Sequence, residues 1–129
     1  ATGQLFNSVL LNRYVAGRNH GIGMHSDDEE ELGLEPTIAM LTFGEGRSLD
    51  FSPKRWFAAR NPAAKKVSVP TPAGSLLIMA GQTQKNWLHG VEKTIGKQDR
   101  ITLTFRHIKG AETLPDPKSK RSLAAALRG

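Results

Sequence analysis

Residues 100–106, Arg-Ile-Thr-Leu-Thr-Phe-Arg, alternate polar and apolar side chains without a break. Successive side chains of a strand point to opposite faces. Arg100, Thr102, Thr104 and Arg106 therefore share one face, while Ile101, Leu103 and Phe105, with Ile108 beyond them, mostly take the other. Such alternation marks a strand of an antiparallel sheet. Working back from it, seven more short segments read as strands: 5–15, the stretch that delivers His25 and Asp27, 37–43, 47–52, 67–70, 75–80 and 86–91. Turn residues separate them, among them Gly17, Gly44, Gly46, Pro72, Gly74 and Gly81. Pro53, Asn61 and Pro62 predict that residues 53–66 are a long hairpin tip rather than a helix. Eight short strands with almost no helix predict a mainly β fold, a double-stranded β-helix or jelly roll, over residues 1–108. Residues 109–129 read as a basic tail, in which 119–128 could form a short helix.

The chain has 129 residues, 38% hydrophobic and 23% charged, enough for one domain with its own core. It has no Cys, which excludes a disulfide framework, a cysteine zinc finger and a thiol nucleophile. No apolar run reaches membrane-spanning length and no signal peptide opens the chain, so the expectation is an intracellular monomer, cytoplasmic or nuclear, with no membrane partner. The first residue is not Met, which reads as a piece of a longer protein. A net charge of +6 favours a polyanionic partner. Residues 27–35 hold six acids and no base; residues 54–66 hold Lys54, Arg55, Arg60, Lys65 and Lys66 and no acid. Each run is either solvated surface or a place where charge is used.

His25 and Asp27 lie two apart, so in an extended chain they share a face at a spacing of about 6.6 Å. So short a motif also arises by chance, and it needs a distant partner. His20 lies in a turn and His107 is out of phase with the arginine face of its strand. His89, on one face with Trp87 of a late strand, is the natural third ligand. Two imidazoles and a carboxylate on one face of an octahedral ion characterise non-haem Fe(II) oxygenases. Arg100 and Arg106, about 20 Å apart along their strand, could hold a small dicarboxylate between them. Asn12 and Tyr14 share a face of the first strand, toward either solvent or a pocket.

Taken together, FNSVLLNRY at 6–14, HSDDE at 25–29, the late His89 and RITLTFR at 100–106 resemble the AlkB family of Fe(II)/2-oxoglutarate dioxygenases. The resemblance implies a jelly roll in which His25, Asp27 and His89 bind Fe(II) and 2-oxoglutarate is held by Asn12, Tyr14, Arg100, Thr102 and Arg106. Thr102 stands where many relatives have Asn. It also implies oxidative demethylation of N-alkylated bases in methylated DNA or RNA, with dioxygen as oxidant and succinate, carbon dioxide and formaldehyde as products. Glu29 occupies the place where repair members keep a carboxylate near the base, and Lys54, Arg55, Arg60, Lys65 and Lys66 would grip the backbone. Nucleic-acid repair members carry a base-stacking lid ahead of the first strand; here four residues precede Leu5. Three other readings remain: a 2-oxoglutarate oxygenase of protein side chains or small molecules, a Zn(II) hydrolase on the same triad, and a non-catalytic nucleic-acid-binding module.

Overall fold

The computed structural model describes residues 3–110. Eight strands follow in order: β1 (Ser8–Tyr14), β2 (Asn19–His25), β3 (Ile38–Gly44), β4 (Arg47–Pro53), β5 (Val67–Thr71), β6 (Leu76–Met79), β7 (Trp87–Ile95) and β8 (Arg100–Arg106). They form two four-stranded antiparallel sheets, ordered β1-β8-β3-β6 and β2-β7-β4-β5. This is the expected jelly roll. β8 is a central strand, paired on one side with β1 (Leu11 opposite Leu103) and on the other with β3 (Leu41 opposite Leu103).

The alternation of β8 is used with its polar face inward. Arg100, Thr102 and Thr104 are buried, while Ile101, Leu103 and Phe105 are half-buried on the outer face. Residues directly opposite across a ladder share a face, so Leu11, Leu41 and Leu76 continue the outer apolar row through Leu103. Inside, Tyr14, Ile38, Met40, Leu49, Met79 and Val91 form the buried cluster, with Ile22, Phe51 and Leu77 packed on it. A roll whose inner wall mixes these with threonines and arginine encloses a partly polar cavity.

Two short helices depart from the sequence expectation. The β4–β5 connection is the expected hairpin, from Arg47 opposite Thr71 to Phe51 opposite Val67, but its tip carries helix α1 (Arg55–Arg60). Within RWFAAR no Gly or Pro interrupts the helix; Ala58 N–H donates to Lys54 O at 2.9 Å and Asn61 N–H to Phe57 O at 3.0 Å. Phe57 packs 5.9 Å from Trp87, and that contact outweighs the prolines on either side. Helix α2 (Thr83–Asn86) lies where only a connection was expected and runs directly into β7. Among the described residues no helix is long and apolar enough to cross a membrane. The proposed helix at 119–128 lies outside the described residues, as does the tail from 111 onward.

Candidate active site

β2 and β7 pair with two register shifts, after which His25 stands directly opposite His89. Gly90 makes this approach possible, because a Cβ there would lie 2.7 Å from the carbonyl oxygen of Ile22. The two imidazoles tilt at 52° with centroids 4.4 Å apart. The expectation that His25 and Asp27 share a strand needs correction. The β2 ladder ends at His25, and Asp27 lies in the loop beyond, 5% exposed. Its N–H donates to the side-chain Oε1 of Gln84 at 2.9 Å, which takes the place of a ladder partner.

His25 Nδ1 lies 2.8 Å from the carbonyl oxygen of Gly23, which can only accept, so Nδ1 carries the proton and Nε2 keeps its lone pair. His25 Nε2 faces Asp27 Oδ1 at 3.8 Å, and His89 Nε2 faces Asp27 Oδ2 at 3.9 Å. Both separations are too long for hydrogen bonds. One ligand atom from each of the three residues falls within a 4.8 Å group. Burial, then the neighbouring His25, push the His89 imidazole down to about 4, so it stays neutral, the form that ligates metals. Lone pairs converging without a shared proton suit a divalent cation, and this donor set fits Fe(II).

A cavity of about 230 Å³ opens beside the triad, lined by Asn12, Tyr14, Thr102, Thr104 and Arg106 among others. That is below the usual range of about 300–1,000 Å³ for drug-sized ligands, so it suits a small acid rather than a nucleotide. Arg106 Nη2 donates to both Asp27 oxygens at 3.2 Å. Arg100 is the departure, for it does not line the cavity. Fully buried, it donates to Thr71 Oγ1 at 2.9 Å and to the carbonyls of Thr71 and Glu45 at 3.2 Å. It sits behind Tyr14, 5.4 Å from the ring centroid, because at the first residue of β8 the guanidinium reaches the end of the roll and meets those carbonyls. Burial raises the Tyr14 phenol, and the charge and hydrogen bond of Arg100 partly oppose it.

Residues 1–106 match the 2OG-Fe(II) oxygenase superfamily. The chain belongs to that superfamily. It is 38% identical over 120 residues to alpha-ketoglutarate-dependent dioxygenase alkB homolog 3 of Homo sapiens, covering 91% of this chain and 40% of that protein. It is 40% identical over 129 residues to DNA oxidative demethylase ALKBH2 of Bos taurus, covering 97% of this chain and 44% of the relative. The chain thus spans less than half the length of these relatives. A solved structure of OsALKBH1 superposes with a TM-score of 0.57 at 21% identity, covering 77% of this chain and 47% of the other, a likeness of fold.

Around this His-Asp-His group the other expected residues separate into groups. Glu29 is exposed, outside the cavity lining. Arg55, Arg60, Lys65 and Lys66 are exposed on the β4–β5 connection, with the Arg60 guanidinium 5.9 Å from the ring of Trp56, itself 44% exposed. Lys54 differs from them: half-buried, its ammonium donates to the carbonyl of Gln84 at 2.9 Å, so it is not a free cation of the tip. His20, expected in a turn, is instead the second residue of β2, opposite Thr94; its Nδ1 accepts from Val15 N–H, and it does not line the cavity. Gln84 and Trp56 escaped sequence reasoning, Gln84 because it sits in a polar run with no periodicity; Thr104 was placed on the polar face of β8 but not assigned to the site, and it lines the cavity.

Proposed function

We propose that this chain is the catalytic core of an Fe(II)/2-oxoglutarate oxygenase that removes alkyl groups from nitrogen atoms of bases in DNA or RNA. The group formed by His25, Asp27 and His89 beside a small cavity that Arg106 lines carries the reading, and the substrate class is that named for the relative ALKBH2, a DNA oxidative demethylase. His25, Asp27 and His89 would hold Fe(II), which with 2-oxoglutarate and dioxygen supplies the oxidation: one oxygen atom enters succinate as carbon dioxide leaves, the other departs in formaldehyde, and the base keeps a proton in place of the methyl group. Arg106 would hold one carboxylate of 2-oxoglutarate. Asn12, Tyr14 and Thr102, which line the cavity, would hold the remainder, and buried Arg100 would act through Tyr14 rather than by direct contact.

The cavity has room for the cosubstrate and only a base edge, so the polynucleotide lies outside it. Arg55, Arg60, Lys65 and Lys66 supply cations to the backbone, and exposed Trp56 offers a π-face on which a base can stack. A nucleic-acid substrate would be met inside the cell, which supports an intracellular location. Incubating the protein with Fe(II), ascorbate, 2-oxoglutarate and a methylated oligonucleotide should yield succinate, formaldehyde and the unmodified base in equal amounts. Succinate formed with a methylated peptide or small molecule, but not with any oligonucleotide, would favour the other oxygenase reading.

A further inference from the structure

We propose that Gln84 is the positioning residue for Asp27, and that Lys54 braces Gln84, joining the basic β4–β5 connection to the metal ligands. The inference rests on the metal reading above. His25 and His89 are held by the β2–β7 ladder, but Asp27 has left that ladder. Its main-chain N–H is buried with the residue and needs an acceptor. Gln84, 57 residues away and 2% exposed, provides it through Oε1. The other end of the amide settles its orientation, since Nε2 lies 3.6 Å from Met79 Sδ, a weak acceptor. Both ends of the side chain are engaged, so the rotamer is locked.

α2 adds the second link. Five residues after Gln84, β7 presents His89, so the same short helix sets the second ligand through a hydrogen bond and the third through the chain itself. Lys54 clamps this helix twice: its N–H donates to Asn86 O at 2.8 Å, and its ammonium to Gln84 O at 2.9 Å. From the ammonium of Lys54 to the main chain of Asp27 there is one residue, Gln84. A group that orients a ligand from behind acts on metal affinity, and losing such a partner typically weakens binding about 10- to 100-fold.

The test uses Mn(II), read by electron paramagnetic resonance, together with urea unfolding of the metal-free chain. Gln84→Met keeps the shape and removes the acceptor; the Mn(II) dissociation constant should rise about 10- to 100-fold. Gln84→Glu restores an acceptor in either protonation state and should recover most of that loss. A Gln84→Met variant that is less stable yet binds Mn(II) like wild type would show that Gln84 merely fills space, and the inference falls. If Gln84→Met does not fold, Lys54→Met decides: affinity should weaken about two- to tenfold, the equivalent of one ordinary hydrogen bond, and unchanged affinity overturns the brace. A wild-type chain that takes up no Mn(II) removes the metal reading itself, which is a different result from a variant that matches a binding wild type.

Discussion

Replacing Arg106 by Gln should cost the metal-free protein more stability than the metal-bound protein. Without a metal, Arg106 is the cation that touches both oxygens of Asp27, at 3.2 Å, with side chains only 16% and 7% exposed. Removing one partner of a buried pair costs about 3–5 kcal/mol, and partial exposure of Arg106 puts this pair near the lower end, about 3 kcal/mol. A divalent cation held by Asp27 takes over the neutralisation, so saturating Mn(II) should shrink the deficit to about 1 kcal/mol. By linkage the variant must then bind Mn(II) more tightly than wild type, on the order of 30-fold for a difference of about 2 kcal/mol. The same substitution should weaken 2-oxoglutarate at least about tenfold, because a charge-assisted hydrogen bond worth about 1.5–3 kcal/mol is lost. Urea unfolding with and without Mn(II), and calorimetric titration of 2-oxoglutarate into the Mn(II)-loaded protein, give the three numbers. A metal-free variant within about 0.5 kcal/mol of wild type, or an unchanged 2-oxoglutarate affinity, would refute the reasoning.

His89→Ala should abolish turnover and Mn(II) binding, whereas His20→Ala, at the start of β2 opposite Thr94 and outside the cavity lining, should keep both; wild-type metal affinity in His89→Ala would remove it from the ligand set. The metal-free chain should lose stability in acid. His89 is held at about 4 when folded against an ordinary 6.5, so the unfolded chain takes its proton first. The contribution is fully present above pH 6.5 and is lost as pH falls toward 4, up to about 3 kcal/mol, and His89→Gln should flatten the pH profile of urea midpoints. Replacing Arg55, Lys65 and Lys66 together by Ala should flatten the dependence of log oligonucleotide affinity on log salt by about 0.7–0.9 per phosphate contact removed. Its 2-oxoglutarate affinity should not change, and a slope equal to wild type would make the basic connection solvated surface.

Eight strands were legible in the sequence because most are short, set off by turn residues and rich in residues that favour strands, though residues 19–21 read as a turn and lie in β2. What remained hidden depends on contacts distant along the chain. Phe57 is helical because Trp87, thirty residues later, receives its ring. Spacing put His25 and Asp27 on one strand, but the loop geometry of Asp27 is set by Gln84, and no local pattern marks a glutamine as a hydrogen-bond acceptor for a residue so far upstream. Arg100 and Arg106 share a face as alternation requires. Alternation is silent about how deep each lies in the roll, and so about which of them meets the cavity.

The inward polar face of β8 would tie the stability of the fold to the ligands proposed for the cavity. Seven hydrophobic residues are buried among those described, against nine polar or charged ones that include Asp27, His89, Arg100, Thr102 and Thr104. A wall of that composition gains less from burial than an apolar one and requires every polar atom to find a partner. Not all do: His89 Nδ1, Thr42 Oγ1 and the Nε of Arg100 are buried without one. The polar groups that do line the cavity are Asn12, Thr102, Thr104 and the Asp27–Arg106 pair, and a small dianion with a divalent cation would give those atoms further partners. Each ligand then adds stability in proportion to the logarithm of its concentration over its dissociation constant. The outward apolar face of the same strand supports the roll without contributing to the site. Mutations there should act on stability alone, whereas mutations on the inner face act on stability and binding together.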